Sequence, residues 1–277
     1  MTAYSKTTSL AALARAIRIG ILELSHHGRS AHIGSCLSVA EILAALYGGA
    51  MNITPENVQH PERDRVVFGK GHAAAALLAA LMERGFISRE ALFQEFNQPG
   101  GLFQEHPGPN WGHGVEVAAG SLGHALPIAA GLAIAARIQK RNYRVCAVMG
   151  DGECNEGSVW EAAMFAGGQG RNLANLAVVV DANNWQAIGR PGEIAALEPQ
   201  PDKWRAFGWD AIEVDGHDPE KLHQILAGFG SGEKPTAVIA RTVKGKGVSF
   251  MEDDNNWHYR LLSTEDLERA LRECDNA

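Results

Sequence analysis

The spacing of apolar residues changes along this chain, and the changes mark out its elements. Over residues 10–24 the apolar positions recur at helical spacing and stop near Gly28, which predicts an opening helix. Ser38-Val39-Ala40-Glu41 reads as a capping box leading into a helix over 42–46. Thr54-Pro55 starts a short turn or helix, with Pro at the first helical position. Residues 65–68 read as a strand, 73–84 as a buried helix and 88–96 as another, before a long Gly/Pro-rich loop over 99–114. After a helix over 125–140, strand and helix alternate. Strands are expected at 144–149, 176–181, 210–214 and 236–240, with helices near 158–166, 201–207 and 219–229. An irregular excursion follows Gly247, and a last helix begins at Thr264.

Short apolar strands separated by helical crossovers predict an α/β fold: a doubly wound, mainly parallel sheet with helices on both faces. Ligands in such sheets bind beyond the C-terminal ends of the strands. Asp151, Asn183 and Asp215 all fall there. No internal repeat or low-complexity linker interrupts the 277 residues, so residues 1–277 read as a single domain.

Composition narrows the function more by exclusion than by assertion. A net charge of −7 without a basic run argues against a nucleic-acid partner. No stretch approaches the roughly eighteen uninterrupted apolar residues of a membrane span, and no signal-type apolar segment follows the N-terminal charge. Cys36, Cys146, Cys154 and Cys274 lack metal-type spacing and read as reduced thiols of a cytoplasmic protein.

The chemistry concentrates in Gly150-Asp151-Gly152-Glu153-Cys154-Asn155-Glu156-Gly157 and, after a helix and a strand, Asp181-Ala182-Asn183-Asn184. A Gly-rich turn at a helix N-terminus lets backbone N–H groups approach an anion. Asp151 and Asn183 add a carboxylate and an amide oxygen, hard ligands suited to Mg²⁺ or Ca²⁺ rather than zinc. A metal bridging protein oxygens to a diphosphate is the natural reading. Gly-Asp-Gly alone is ordinary turn chemistry. Strand, GDG, helix, strand and DxNN in that order are much harder to obtain by chance.

This order resembles the thiamine diphosphate motif, and the wording GDGECNEGSVWEAAMFA is similar to the transketolase branch of that family. The resemblance implies thiamine diphosphate as cofactor, with Mg²⁺ (replaceable by Ca²⁺ or Mn²⁺) held by Asp151, Asn183 and Trp185. It implies cofactor contacts at Ser35, Lys70, Gly120, Leu122, Gly150, Asp151, Gly152, Glu153, Asn183, Trp185 and Lys244. Gly167-Gly168-Gln169-Gly170-Arg171 makes the interval between the two motifs about two residues longer than the family's usual spacing. Such an insertion is cheapest at a helix end.

Eleven histidines are many for this length, and several sit in Gly/Ser loops. His32, His72, His106 and His258 each match a short transketolase segment, in Ser30-Ala-His-Ile-Gly, Lys70-Gly-His-Ala, His106-Pro-Gly and Trp257-His. The resemblance implies that these four line the channel over the cofactor and bond the carbonyl and hydroxyls of a sugar donor. Imidazole suits that task because it can donate or accept near neutral pH. Gly120-Ser-Leu122-Gly123 resembles the family's GxLG turn, although His124-Ala125 stands where Gln-Gly is usual. Lys244-Gly-Lys-Gly247 matches a KGxG segment, with a solvated basic turn as the plainer alternative. His258-Tyr259-Arg260 replaces the family's His-Gly; Arg260 reads as a surface residue or as a reader of an anionic group. Glu156 matches a carboxylate that joins two active sites across the subunit interface, and it also suits a helix N-terminus.

The resemblance covers nearly the whole chain but only the family's first, diphosphate-binding domain. The Glu that activates the aminopyrimidine belongs to a second domain. The expectation is therefore a split transketolase moving a two-carbon ketol unit from a ketose phosphate to an aldose. This chain would be its N-terminal subunit, in an α2β2 assembly with a C-terminal subunit carrying the pyrimidine-binding domain. A specialised variant acting on a sulfosugar, branched sugar phosphate or carrier-bound acceptor is the close alternative. The α subunit of a 2-oxo acid dehydrogenase usually continues GDG with NQG and lacks the KGHA and GHP histidines. A non-catalytic paralogue would have little use for Asp151, Asn183 and all four histidines.

Overall fold

Ser9 opens the first helix by accepting the Ala12 N–H on its hydroxyl at 3.2 Å, and α1 (Leu10–His27) stops at Gly28. The computed structural model of the protein describes residues 9–108, 111–168, 170 and 173–275. Next come α2 (Ile33–Leu37), α3 (Ala40–Ala45), β1 (Arg65–Phe68), α4 (Ala74–Glu83), α5 (Arg89–Glu95) and α6 (Ala125–Ile138). β2 (Val145–Gly150) leads through a 3-10 turn, Gly152–Asn155, into α7 (Gly157–Gly167). The chain then runs β3 (Leu176–Ala182), α8 (Pro191–Ile194), α9 (Gln200–Ala206), β4 (Asp210–Asp215), α10 (Pro219–Gly228), β5 (Thr236–Arg241) and α11 (Thr264–Asp275).

The predicted strands all form and pair in parallel in the order β1-β2-β3-β5-β4. β2 and β3 are buried along their whole length, which is why their sequences are apolar runs rather than alternations. Alternate residues feed two cores. Val148, Val179 and Val238 face α1, α3, α4 and α10, whereas Ala147, Val178 and Ala237 face α6, α7 and α9. The connection from β4 to β5 runs back toward the sheet centre, and its helix α10 lies on the face opposite α7 and α9. Right-handed crossovers require that change of face when the direction of winding reverses.

Two expectations are corrected. The Ser38–Glu41 box does not cap α3, which starts after Val39 without a side-chain cap. Ser38 instead donates to Asp181 Oδ2 at 2.6 Å, and Glu41 pairs with Arg18 and His217. Both side chains are claimed by tertiary partners stronger than a local N–H. The segment 33–50 has the apolar character of a membrane span, but it breaks at Ser38–Val39 and most of it is buried in the core.

Candidate active site

Three strand ends and two loops converge beyond the C-terminal edge of the sheet. Lys70 follows β1, Asp151 follows β2, and Asn183 follows β3. Asp151 is the hinge between the two motifs: its Oδ1 accepts the Gly152 N–H at 2.8 Å and its Oδ2 the Asn184 N–H at 2.7 Å. Asn184 can offer that N–H because it adopts a left-handed φ of 61°, which Asn tolerates. Gln169 and Arg171, within the longer interval between the motifs, lie outside the described residues; the motifs meet regardless.

Burial, with the charge of Asp181 behind it, pushes the Asp151 carboxyl up to about 7. Burial does the same to Glu153, whose Oε1 accepts the Gly123 N–H at 3.1 Å. Glu153 Oε2 is buried without a hydrogen-bond partner among the described residues. These are carboxylates placed where a cation or N–H donors would favour their charged form.

Beneath them lies a network around Asp181, a residue to which the sequence pattern assigns no role. Its carboxylate pairs with Lys70 and accepts from Ser38, Thr242 and Asn183 Nδ2. Burial alone would raise its pKa, but the Lys70 ammonium and these hydrogen bonds hold it below the usual carboxylate range. Lys70 also donates to the Ser35 carbonyl at 2.8 Å. Because Asn183 turns its NH₂ toward Asp181 and Ser38, its oxygen faces the other way and accepts the Trp185 N–H at 3.0 Å. A signal for Asp181 is nonetheless present in the sequence: a charge in a run of apolar strand residues, two positions before Asn183 and so on the same side of the chain.

Above this floor is a cavity of about 450 Å³. Ser35, Lys70, Gly120, Leu122, Gly150, Asp151, Gly152, Glu153, Asn183 and Trp185 all line it, as do His72, His106, His258 and Glu156. His32 and Lys244 stand one layer back. The His32 ring centroid is 4.9 Å from that of His258, 5.5 Å from His72 and 6.3 Å from His106. His32 holds a left-handed φ of 66°, an uncommon conformation for a residue with a side chain, and its Nδ1 is buried without a partner among the described residues. Lys244 Nζ donates to Asn255 Oδ1 at 2.6 Å and meets His258 Nδ1 at 3.0 Å. Burial, then the Lys70 charge, lowers Lys244 to about 8. Burial and the Lys244 charge take His258 down to about 3, and burial with Lys70 holds His72 well below its ordinary value. Both rings are neutral, with His258 Nδ1 already occupied by the Lys244 ammonium.

The Gly-rich loop fits because it has no side chains there. A Cβ on Gly71 would come within 2.7 Å of the Gly120 nitrogen, so the 70–73 turn and the Gly120–Gly123 turn touch backbone to backbone. Trp185 is fixed from outside, donating to Asp253 Oδ1 at 2.8 Å under the Arg190 guanidinium, 3.6 Å from its ring centre. Asn155, within the GDG run, also lines the cavity, as do Gln186, Ala187 and Ile188, whose spacing gave no sign of it. Asp215, at the end of the edge strand β4, is exposed and takes no part. Arg260 lies over the Trp257 ring and 3.4 Å from Asp266, which favours its surface reading. Among the described residues no three His, Cys, Asp or Glu side chains converge as a metal site.

Residues 9–274 match the family described as transketolase, thiamine diphosphate binding domain. The chain is 39% identical over 254 residues to one of the subunits of the apulose-4-phosphate transketolase of Phocaeicola vulgatus, covering 91% of this chain and 89% of that protein. It is 40% identical over 245 residues to a 6-deoxy-6-sulfo-D-fructose transketolase subunit of a Clostridium species, covering 88% of each. Among solved structures, transketolase from Leishmania mexicana superposes with a TM-score of 0.87 at 28% identity, over 97% of this chain and 41% of that one. The chain thus spans about two fifths of that transketolase.

Proposed function

This chain belongs to the transketolase family, and we propose that it is the diphosphate-binding subunit of a two-chain transketolase. The reaction is transfer of a two-carbon ketol unit from a ketose phosphate to an aldose. One observation carries the reading: a cavity with diphosphate-side chemistry sits in a chain that spans 89% of a protein named as one subunit of a transketolase. The complementary pyrimidine-binding domain would come from a second, C-terminal-type subunit. Residues 1–277 act as one domain, in an α2β2 assembly in the cytoplasm, with Glu156 at the exposed cavity rim as the interface carboxylate.

The donor set fits a hard divalent cation. Asp151 would supply a buried carboxylate whose raised pKa a cation would reverse, Asn183 would supply a fixed amide oxygen, and Trp185 would supply its backbone carbonyl. Mg²⁺, or Ca²⁺ or Mn²⁺ in its place, takes few protein ligands and completes its shell with phosphate oxygens and water. This also accounts for the absence, among the described residues, of a cluster made of carboxylates and histidines alone. Gly150, Gly152, Ser35 and Lys70 would hold the diphosphate with Lys244 in the layer behind them, and Gly120, Leu122 and Glu153 would shape the turn against the ring.

When bound, thiamine diphosphate supplies the electron sink for cleavage beside the ketose carbonyl. The chain's own task is to hold the sugar and move protons. His72 and His258 face the cavity as neutral imidazoles beside His106, with His32 packed behind them, placed to bond hydroxyls and pass protons as general acids and bases. Lys244, donating to His258 Nδ1, keeps that ring's acceptor occupied and its other nitrogen turned to donate.

A specialised donor or acceptor is the second reading. Its support is Tyr259, 64% exposed, with its ring centroid 4.7 Å from that of His258, where the family resemblance places glycine. The two subunit relatives named for apulose 4-phosphate and a sulfofructose point the same way.

The test is two-carbon transfer from xylulose 5-phosphate to ribose 5-phosphate, with Mg²⁺ and thiamine diphosphate, using this chain co-expressed with its candidate second subunit. Transfer by the pair and by neither chain alone is expected. Robust turnover by this chain alone would overturn the split assignment. Cofactor binding by the pair without pentose transfer would favour the specialised reading, to be resolved by acceptor competition.

A further inference from the structure

Lys244 is buried, yet both of its hydrogen-bond partners, Asn255 and His258, are uncharged. Where that ammonium stands therefore depends on the backbone that carries it as well as on those two bonds. The loop after β5 is held by a chain of polar and charged groups outside the cavity lining.

His217, on the turn between β4 and α10, accepts the Val243 N–H on its Nε2 at 2.8 Å. Because an N–H occupies Nε2, the ring is neutral and its Nδ1–H donates to Glu41 Oε2 at 3.1 Å. The other oxygen of Glu41 pairs with Arg18, and Arg18 Nε donates to the Lys246 carbonyl at 3.1 Å. Two ends of one part-buried relay therefore grip the backbone one residue before Lys244 and two residues after it. The relay reaches from α1 and α3 to the edge of the sheet.

Stability alone is a poor explanation for this arrangement. A buried ion pair loses in desolvation about what it gains in attraction, and apolar replacements are often as stable. What such a pair supplies is a fixed geometry. The same Ser38–Glu41 segment that leaves α3 uncapped is thereby accounted for, Ser38 serving Asp181 and Glu41 serving this relay.

We propose that His217, backed by the Glu41–Arg18 pair, is a positioning residue for Lys244, a role that rests on Lys244 serving the cofactor. It touches neither cofactor nor substrate and acts by setting where the Lys244 ammonium stands relative to His258 and the diphosphate pocket.

A double-mutant cycle in the complex reconstituted with the second subunit tests this. The variants are H217A, K244M and the pair, and the readouts are thiamine diphosphate affinity by calorimetry at fixed Mg²⁺, kcat/KM and Tm. H217A is expected to weaken cofactor binding by about tenfold, the scale of outer-shell effects. It should have no further effect in the K244M background. H217Q, which keeps an acceptor for the Val243 N–H, should recover most of the loss. Equal weakening by H217A in both backgrounds would overturn the positioning role while leaving Lys244 in the site. Unchanged cofactor affinity and turnover in K244M would overturn the reading of Lys244 and the relay's purpose with it. If H217A does not fold, R18M, which drops the bond to the Lys246 carbonyl, enters the same cycle with the same two outcomes.

Discussion

On the cavity floor Asp181 alone accepts from Lys70, Ser38, Thr242 and Asn183, whereas across the cavity four histidines pack ring against ring and His32 Nδ1 has no partner among the described residues. The Asp181 network of that floor is satisfied from within the chain and sits on the ends of buried strands. The histidine wall comes from four separate loops and leaves its hydrogen-bonding capacity open. A rigid floor suits an anchored diphosphate and cation, since pre-set donors lose nothing in reorganising. An open wall suits a polyol whose hydroxyls supply the missing partners.

Breaking the floor should therefore cost binding and stability, and breaking the wall should cost turnover. The largest effect is expected from D151A, which removes the carboxylate that joins the two motifs through the Gly152 and Asn184 N–H groups. Metal-dependent cofactor binding should be lost, and undiminished affinity by calorimetry would contradict the assignment. D181N comes next, because it leaves the fully buried Lys70 ammonium without a counter-charge. Destabilisation of roughly 3–5 kcal/mol is expected, read as a fall in the urea midpoint. A change within the error of the measurement would mean that Lys70 finds another anion.

On the wall, H72A should lower kcat/KM by roughly a hundredfold while cofactor affinity stays as in the parent. A parallel loss of affinity would erase the distinction between the two regions. The smallest effect concerns pH and belongs to neither region. Burial and the charge of Arg18, with Lys246 behind it, hold His217 down to about 4 despite Glu41, Asp181 and Asp215. The unfolded chain takes up that proton first, near the ordinary value of about 6.5. The contribution of His217 to stability is thus complete above about 6.5 and is lost as pH falls toward 4. Between pH 7 and pH 5 the parent should lose more in its urea midpoint than H217Q does, and equal losses would place the titration elsewhere.

The floor is largely legible in the sequence. GDG after an apolar strand and Asn183 after the next are local statements, and each residue lies where its strand ends. Asp181 escapes because its part depends on Lys70 and Ser38, which are 111 and 143 residues away along the chain. Ser38 and Glu41 mislead for the opposite reason. Their spacing satisfies a local rule, but buried partners from β3, α1 and the β4–α10 turn bind them more strongly than an N-terminal N–H does.

The sequence by itself determined the alternating elements, the parallel sheet and the side of it that carries chemistry, because strand burial and turn residues are written in short-range patterns. It also determined which histidines to suspect, through segments of a few residues each. Only the tertiary structure decided that three of those rings face one cavity with the fourth behind them, that the Asn183 oxygen is aimed by Asp181, and that the Lys244 loop is gripped from α1 and α3. Those facts are contacts between residues far apart in the chain, and no period of two or 3.6 residues encodes them.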